Sequence, residues 1–529
     1  MKKMICLTLI FMLIFSASVS AAPYLKYSNG GTFGLWSEES YYCTPVCTDI
    51  NADGKNEIIC ASYGVYVLDA ASGELIWRVN AGKDRSTPFV EIGGNSGHTW
   101  CDISVCDIDG DGVSEIISGH SDGTVSVLSS DGYFKWGWPQ KVVSAPVRSL
   151  KIADLDSDGR SEIIAGFGTE SPENVWVFEP DGSVRPGWPQ MDAGHRAQDG
   201  GDYRENGWAW GVFNDNISTG DIDGDGQLEI IVPSDLAFTA AYNPDGTQVK
   251  ANETYYGGRT WAKIPFYEDY GTEIRMDNEG WGFPLDGTEK REDLFRAEMG
   301  HAGSCVYDLD GDGKNEVALV GIMANRQYSF YPPTEYMTLF ILNGDRTRFY
   351  NKEKGYDWRR IPTDLGAPLV QTPEIISSRV NSKPVVEDLN GDGVPEILFP
   401  SYNGKLHCFS LDKSEKGAWP YSLTKRTSPL FEYASAPACA DINGDGKKEV
   451  VFVSFYDPSQ SVPQGSGGSL YILDCEGRLI SKTQLPPSKE AGNYINGSMA
   501  TPLIYDTDGD GVLEIVINTL HGGISVFGL

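Results

Sequence analysis

One nine-residue phrase constrains this chain more than any other feature, because it is written eight times. It starts at Asp49 and returns at Asp107, Asp154, Asp221, Asp308, Asp388, Asp441 and Asp506. Each copy reads D-x-[DN]-x-D-G-x-x-E and is followed by two apolar residues. Oxygen-bearing side chains on alternate residues, a glycine at a sharp bend and a closing glutamate form a donor set for a hard cation such as calcium. The expected ligands are Asp49, Asn51, Asp53 and Glu57 in the first copy and Asp107, Asp109, Asp111 and Glu115 in the second. They continue as Asp154, Asp156, Asp158, Glu162; Asp221, Asp223, Asp225, Glu229; and Asp308, Asp310, Asp312, Glu316. The last three sets are Asp388, Asn390, Asp392, Glu396; Asp441, Asn443, Asp445, Glu449; and Asp506, Asp508, Asp510, Glu514.

The spacing of the copies points to a repeat architecture rather than scattered turns. Successive motifs start 58, 47, 67, 87, 80, 53 and 65 residues apart. The sixth unit shows the minimal plan. A short strand ends at Asp388, a second runs Glu396–Phe399, and a tight Asn403-Gly404 turn leads to a third over Lys405–Leu411. A fourth ends near Trp419-Pro420. Four short strands per unit with glycine turns predict propeller blades. Solenoid turns are shorter, and separate modules would need linkers. Pro45, Pro384, Pro437 and Pro502 each stand four residues before a motif. Proline cannot donate to a sheet ladder, so the strand it begins belongs at an edge, here the edge facing a central channel.

The ends of the chain fit the same plan. The eighth unit stops after its third strand, while Tyr24 to Trp36 precedes the first inner strand and ends like other fourth strands, such as Trp136-Gly137-Trp138-Pro139. The expected fold is therefore all-β: an eight-bladed β-propeller of four-stranded blades, closed by the N-terminal strand completing the last blade. Upstream of this, Lys2 and Lys3, an apolar run from Met4 to Phe15 and Ser20-Ala21-Ala22 form a signal-peptide pattern. Residues 1–22 are thus expected to be removed, and 23–529 to form a single propeller in a secreted or cell-envelope protein. No later run is long enough to span a bilayer.

With these motifs in place, the chain resembles the FG-GAP/VCBS repeat family, whose best-known members form the integrin alpha-chain propeller. The resemblance covers nearly everything after residue 22. It implies calcium in the loop between the first two strands of each blade, bound by motif positions one, three, five and nine and by the backbone carbonyl of position seven. Integrin propellers have seven blades and fewer metal sites. Eight intact motifs are similar in architecture to the eight-bladed rhamnogalacturonan lyases, although no catalytic residues of those enzymes align here.

Charge supports calcium and narrows the partners. The formal charge is −32. Positions one, five and nine are acidic in every copy, and position three is Asp in five, so 29 of the 74 acidic residues lie in the loops. Eight bound divalent ions would leave about −16, still unfavourable for nucleic acid. Cysteine says less. Cys43, Cys47, Cys60, Cys305, Cys408 and Cys439 fall in apolar strands, as buried hydrophobes do. Cys43–Cys47 and Cys101–Cys106 are the disulfides that remain open.

The unequal intervals between motifs carry the functional expectation. Long fourth-to-first connections (82–102, 190–218, 252–303, 351–383) and second-to-third connections (321–335, 454–468) emerge opposite the metal loops in an up-and-down blade. Long loops on a rigid scaffold often hold binding sites. Trp208, Trp210, Tyr255, Trp261 and Trp281 are the candidate ligand-binding residues, for a glycan or protein. His98 and His301, with Tyr203 or Arg204, are the candidates for base and charge neutraliser if the chain is instead a polysaccharide lyase. The basic run Arg346, Arg348, Lys352, Lys354, Arg359, Arg360 could meet an acidic glycan. Gly119-His120-Ser121-Asp122-Gly123 matches G-x-S-x-G but joins two strands, where a hydrolase elbow needs a strand-to-helix turn. The leading expectation is a non-enzymatic binding propeller.

Overall fold

The second strand of each blade explains the architecture. Glu57–Ala61, Glu115–Gly119, Glu162–Phe167, Glu229–Pro233 and Glu514–Thr519 are buried at every residue. A strand covered on both faces reads as an apolar run rather than an alternation, and such cover requires a neighbouring blade on each side. In the computed structural model these strands lie in eight antiparallel sheets arranged as a ring, an eight-bladed β-propeller. The structure describes residues 22–29, 43–90, 99, 101–168, 173–192, 217–233, 238–275, 295–299, 303–325, 336–363, 365–366, 369, 383–423, 431–456, 467–487, 496–520 and 522–529.

Blade 1 shows the order: Val46–Thr48, Glu57–Ala61, Gly64–Asp69 and Leu75–Asn80, each paired with the next. Its inner strand pairs on one side only, and Pro45 immediately precedes it, as Pro384, Pro437 and Pro502 precede Val385, Ala438 and Leu503. In blades 2 and 4 the outer strand shrinks to isolated bridges such as Leu128↔Phe134 and Tyr242↔Gln248. Blade 8 closes the ring as expected. Tyr24–Asn29 pairs antiparallel with Gly523–Gly528, from Tyr24↔Gly528 to Asn29↔Ile524. Phe33 to Trp36 lie outside the described residues.

The apolar core is not one mass but eight wedges, each a cluster centred between two neighbouring blades, and the one between blades 5 and 6 continues to Tyr433, Phe455, Met499 and Leu520 of blades 7 and 8. A tryptophan on the outer segment of six blades crosses its wedge. The indole N–H groups of Trp77, Trp138, Trp188, Trp261, Trp358 and Trp419 donate to the carbonyls of Ser130, Pro180, Pro244, Gly344, Leu411 and Cys475 in the next blade, at 2.9–3.3 Å. Tyr27 makes the equivalent bond across the closure, to Ala70 at 2.6 Å. Beside two of these latches the backbones touch. A Cβ at Gly137 or Gly187 would lie 1.9 Å from the carbonyl oxygen of Asp181 or Asp245, so only glycine fits.

All nine described cysteines are thiols, and neither the Cys43–Cys47 nor the Cys101–Cys106 pairing is formed. The Gly119–Gly123 segment is a hairpin turn; its His120 is buried between Thr99 and Ser118, and burial lowers its pKa to about 4. Replacing Trp358 by Phe keeps most of the packing but strands the buried Leu411 carbonyl. It should cost about 1–2 kcal/mol, read as a lower denaturation midpoint at unchanged m-value.

Candidate metal centres

The eight loops share one backbone design, set by the side chains at fixed positions. The first Asp folds the loop onto itself. Its Oδ2 accepts the N–H of the sixth-position glycine at 2.8–3.0 Å in every copy, from Gly54→Asp49 to Gly511→Asp506. The fifth-position Asp accepts the N–H of position seven at 2.8–2.9 Å, also in all eight. Position six needs glycine because its φ lies between +83° and +87°. Position four is also left-handed and is glycine in six copies; Ala52 (φ 58°) and Ser157 (φ 60°) tolerate it.

The closing glutamate couples the loop to the blade. It is the first residue of the buried second strand, and its Oε2 accepts the N–H of motif position two in all eight copies. The distances run from 2.8 Å (Ile222→Glu229, Thr507→Glu514) to 3.2 Å (Ile108→Glu115, Leu389→Glu396). Oε1 is left for the loop. In the three copies with Asn at position three, that amide donates to it: Asn51→Glu57 at 3.1 Å, Asn390→Glu396 at 3.3 Å and Asn443→Glu449 at 2.7 Å.

The donor set fits a divalent cation. In blades 2, 3, 5 and 8 one oxygen from each of positions one, three and nine lies within 4.8 Å of the others; in blade 4 positions one, three and five do so. Two buried loop oxygens, Glu229 Oε1 and Asp310 Oδ1, have neither a hydrogen-bond nor an ion-pair partner among the described residues. A buried polar atom without a partner is costly, and a hard cation is the complement both oxygens lack. Burial, reinforced by the neighbouring aspartates, raises the Glu229 pKa to about 7 and that of Glu316 to about 8. Glu162 rises to about 7, again mainly by burial, although Arg185 opposes the shift. Calcium would be held by carboxylate and amide oxygens here, and would supply the positive charge that these acids otherwise replace with protons.

The opposite end of the blades carries the additions. In blade 7 the second strand, Glu449–Tyr456, outruns its inner partner. Ala438–Ala440 pairs with its first part, and an added strand, Glu432–Ala434, pairs with Ser454–Tyr456. Blade 5 repeats this: Ser304–Tyr307 pairs with Glu316–Leu319, and Phe295–Glu298 with Ile322–Asn325. Both added strands come from fourth-to-first connections and raise the sheet away from the metal loops. Buried Glu432 secures the blade 7 extension by accepting from Ser454 at 2.5 Å and Tyr471 at 3.0 Å.

The candidate ligand-binding residues divide. His98, His301, Tyr203, Arg204, Trp208, Trp210 and Trp281 lie outside the described residues. Trp261 is fully buried in its wedge and presents no face to a ligand. Tyr255 is exposed, but on a short helix, Glu253–Tyr256, at the wrong end. The helix N-cap Asn252 is bonded to Asp345, next to Asn343, which pairs with Glu316 at the metal-loop end. Tyr256, the residue after Tyr255, ties this helix to a buried ion cluster: its hydroxyl donates to Glu273 at 3.3 Å, and Arg346 and Arg348 both pair with Glu273 of the helix Tyr270–Arg275, at 3.0 and 2.6 Å, all three fully buried. These two arginines are therefore internal, and the basic run does not form one glycan-facing strip.

The fold and loops define a class: an eight-bladed propeller with acidic, metal-type loops between the first and second strands. More particularly, residues 49–118, 107–165 and 388–452 match the family model described as FG-GAP-like repeat. No curated protein sequence matches it. Among solved structures, the V. cholerae biofilm matrix protein Bap1 is similar with a TM-score of 0.50 at 13% identity, over 96% of this chain and 91% of that one. Rhamnogalacturonan lyase YesW gives 0.46 at 16%, over 92% and 71%. At 13% identity the likeness to Bap1 is one of fold.

Two outcomes are expected. Glu273→Ala leaves two buried guanidiniums unpaired and should destabilise by about 3–5 kcal/mol, measured by denaturant unfolding. The second concerns pH. The folded-state pKa values of Glu162, Glu229 and Glu316 lie above the usual carboxylate value, so ionising them opposes folding in metal-free protein. The stability they contribute is full at low pH and is lost as pH rises through about 7 to 8. Protein held in chelator should melt higher at about pH 6 than at about pH 8.5, and the Glu229→Gln, Glu316→Gln double variant should flatten that slope.

Proposed function

We propose that this is an exported, calcium-stabilised propeller that binds a glycan or protein through the face opposite its metal loops. Residues 1–22 would be the leader and 23–529 the single propeller. The observation that carries the reading is the division of labour between the two ends. One end repeats a fixed loop eight times, with buried carboxylate oxygens at Glu229 and Asp310 that call for a cation. The other end varies, and in blades 5 and 7 it is built up by the added strands Phe295–Glu298 and Glu432–Ala434. Trp208, Trp210 and Trp281, in the connections that enter blades 4 and 5, are the proposed contact residues. Calcium is structural in this reading. Repeated carboxylates repel by about 1 kcal/mol per pair in water and about 4 at lower effective dielectric, and one site at a hundredfold excess over Kd adds about 2.7 kcal/mol.

The test has two arms. Excess EGTA should lower the melting temperature sharply, and calcium should restore it; an unchanged melt removes calcium from the proposal. Purified protein is then screened against neutral and acidic polysaccharides, recording both binding and the absorbance of unsaturated products. Binding without product, weakened by Trp208→Ala or Trp281→Ala, is the expected result. Product formation abolished by His98→Ala or His301→Ala would instead make the chain a lyase.

A further inference from the structure

The eight loops are alike in backbone but not in charge balance, and the difference follows from one position on the outer segment of each blade. In blade 2 that residue is Lys135, directly after the Leu128↔Phe134 bridge. Its Nζ lies 3.1 Å from Asp109, 3.2 Å from Asp111 and 2.9 Å from Glu115. In blade 3 the equivalent residue is Arg185, after Phe178↔Val184, and it reaches Asp156 at 2.5 Å and Glu162 at 3.1 Å. In blade 8 the closing strand supplies Lys26, which pairs with Asp508 at 2.7 Å and Glu514 at 3.0 Å. Each of these cations bridges motif positions three and nine.

The remaining loops divide cleanly. Blades 1, 6 and 7 have Asn at position three, which removes one charge and occupies the glutamate Oε1. An Asn loop carries three negative charges; an Asp loop with its own lysine or arginine also nets three. Only blades 4 and 5 keep four carboxylates with, among the described residues, no side-chain cation on any of them. Their outer-segment residues, after Tyr242↔Gln248 and Leu342↔Arg348, are Val249 and Phe349, both buried in the wedges. These same two loops hold the unpartnered buried oxygens, Glu229 Oε1 and Asp310 Oδ1. The residues carrying them are 0% and 7% exposed. The loops are adjacent in the ring, and a solvent-open cleft of about 790 Å³ between their blades is lined by Asp223, Asp310 and Glu316.

We infer that the eight loops are not equivalent calcium sites: blades 4 and 5 form an adjacent pair of tight sites, and Lys26, Lys135 and Arg185 are built-in cations that weaken calcium binding in blades 8, 2 and 3. This rests on the calcium reading above. The physical reason is competition. A divalent ion entering blades 2, 3 or 8 must displace an ammonium or guanidinium group already in contact with the carboxylates, or bind beside it against repulsion. In blades 4 and 5 it meets four acidic side chains with no cation on any carboxylate; in blade 5 the Lys354 ammonium lies on the Asp310 backbone carbonyl and the Asn351 amide on Asp310 Oδ2, which leaves Oδ1 free for the ion. The arrangement also gives the ring a metal-independent part, because three loops carry their own positive charge.

The test is a direct calcium titration of the chelator-treated full chain by isothermal calorimetry, with saturating-calcium melts to show that each variant folds. Two ions should bind at least about tenfold more tightly than the rest. Asp223→Asn and Asp310→Asn should each remove one ion from the tight class. Lys135→Met keeps the apolar stem but not the charge, and should add a third tight ion. Eight equal sites, or a Lys135→Met titration superimposable on that of the parent, would overturn the partition and leave structural calcium standing. No calcium binding at all would remove both.

Discussion

The bond from the closing glutamate to the backbone N–H at motif position two is the interaction on which this structure turns. It is present in all eight copies, from Ile50→Glu57 to Thr507→Glu514. Because the glutamate also begins the buried second strand, the bond fixes where the loop ends and where inner-to-second strand pairing starts, as in Thr48↔Glu57 and Tyr505↔Glu514. It buries a carboxylate in doing so. One oxygen is satisfied by the backbone, and the other must find a cation, an amide or a proton. Two solutions are seen around the ring, a cation in blades 2, 3 and 8 and an amide in blades 1, 6 and 7, and both answer that single electrostatic demand.

The ring itself is stabilised differently. Each blade presents apolar residues on both faces, and none is covered until its neighbours are present. The wedges, the tryptophan latches and the glycine contacts at Gly137 and Gly187 all run between blades. The closing strand Tyr24–Asn29 therefore does more than hide an edge. It brings Tyr27 to Ala70 of blade 1 and Lys26 to the loop of blade 8. Closure, inter-blade packing and loop electrostatics meet in one six-residue strand.

Much of this was legible in the sequence, for physical reasons. The nine-residue motif marks its own loop because its residues act locally. Asp49 folds the turn, Gly54 takes the left-handed angle, and Glu57 starts the strand. The missing fourth strand of the last unit pointed to the N terminus. The candidate ligand residues fared less evenly, because an aromatic in a long insertion reads alike whether it packs inward or faces solvent. Trp261 packs inward, and Tyr255 is held at the metal-loop end because Tyr256 ties its helix to the cluster of Glu273, Arg346 and Arg348. That cluster joins residues more than 70 positions apart and leaves no local pattern.

The sequence alone determined the number of blades, the position of each acidic loop and the route of closure, since these depend on spacing and on residues acting within a few positions of one another. Only the tertiary structure decided which charges meet. Lys135 lies 20 residues beyond Glu115, and Lys26 lies 488 residues from Glu514. Whether an outer segment offers a lysine or a buried valine to its loop depends on side-chain direction across the folded blade. Coulomb interactions act through space rather than along the chain, so eight nearly identical phrases became three kinds of site.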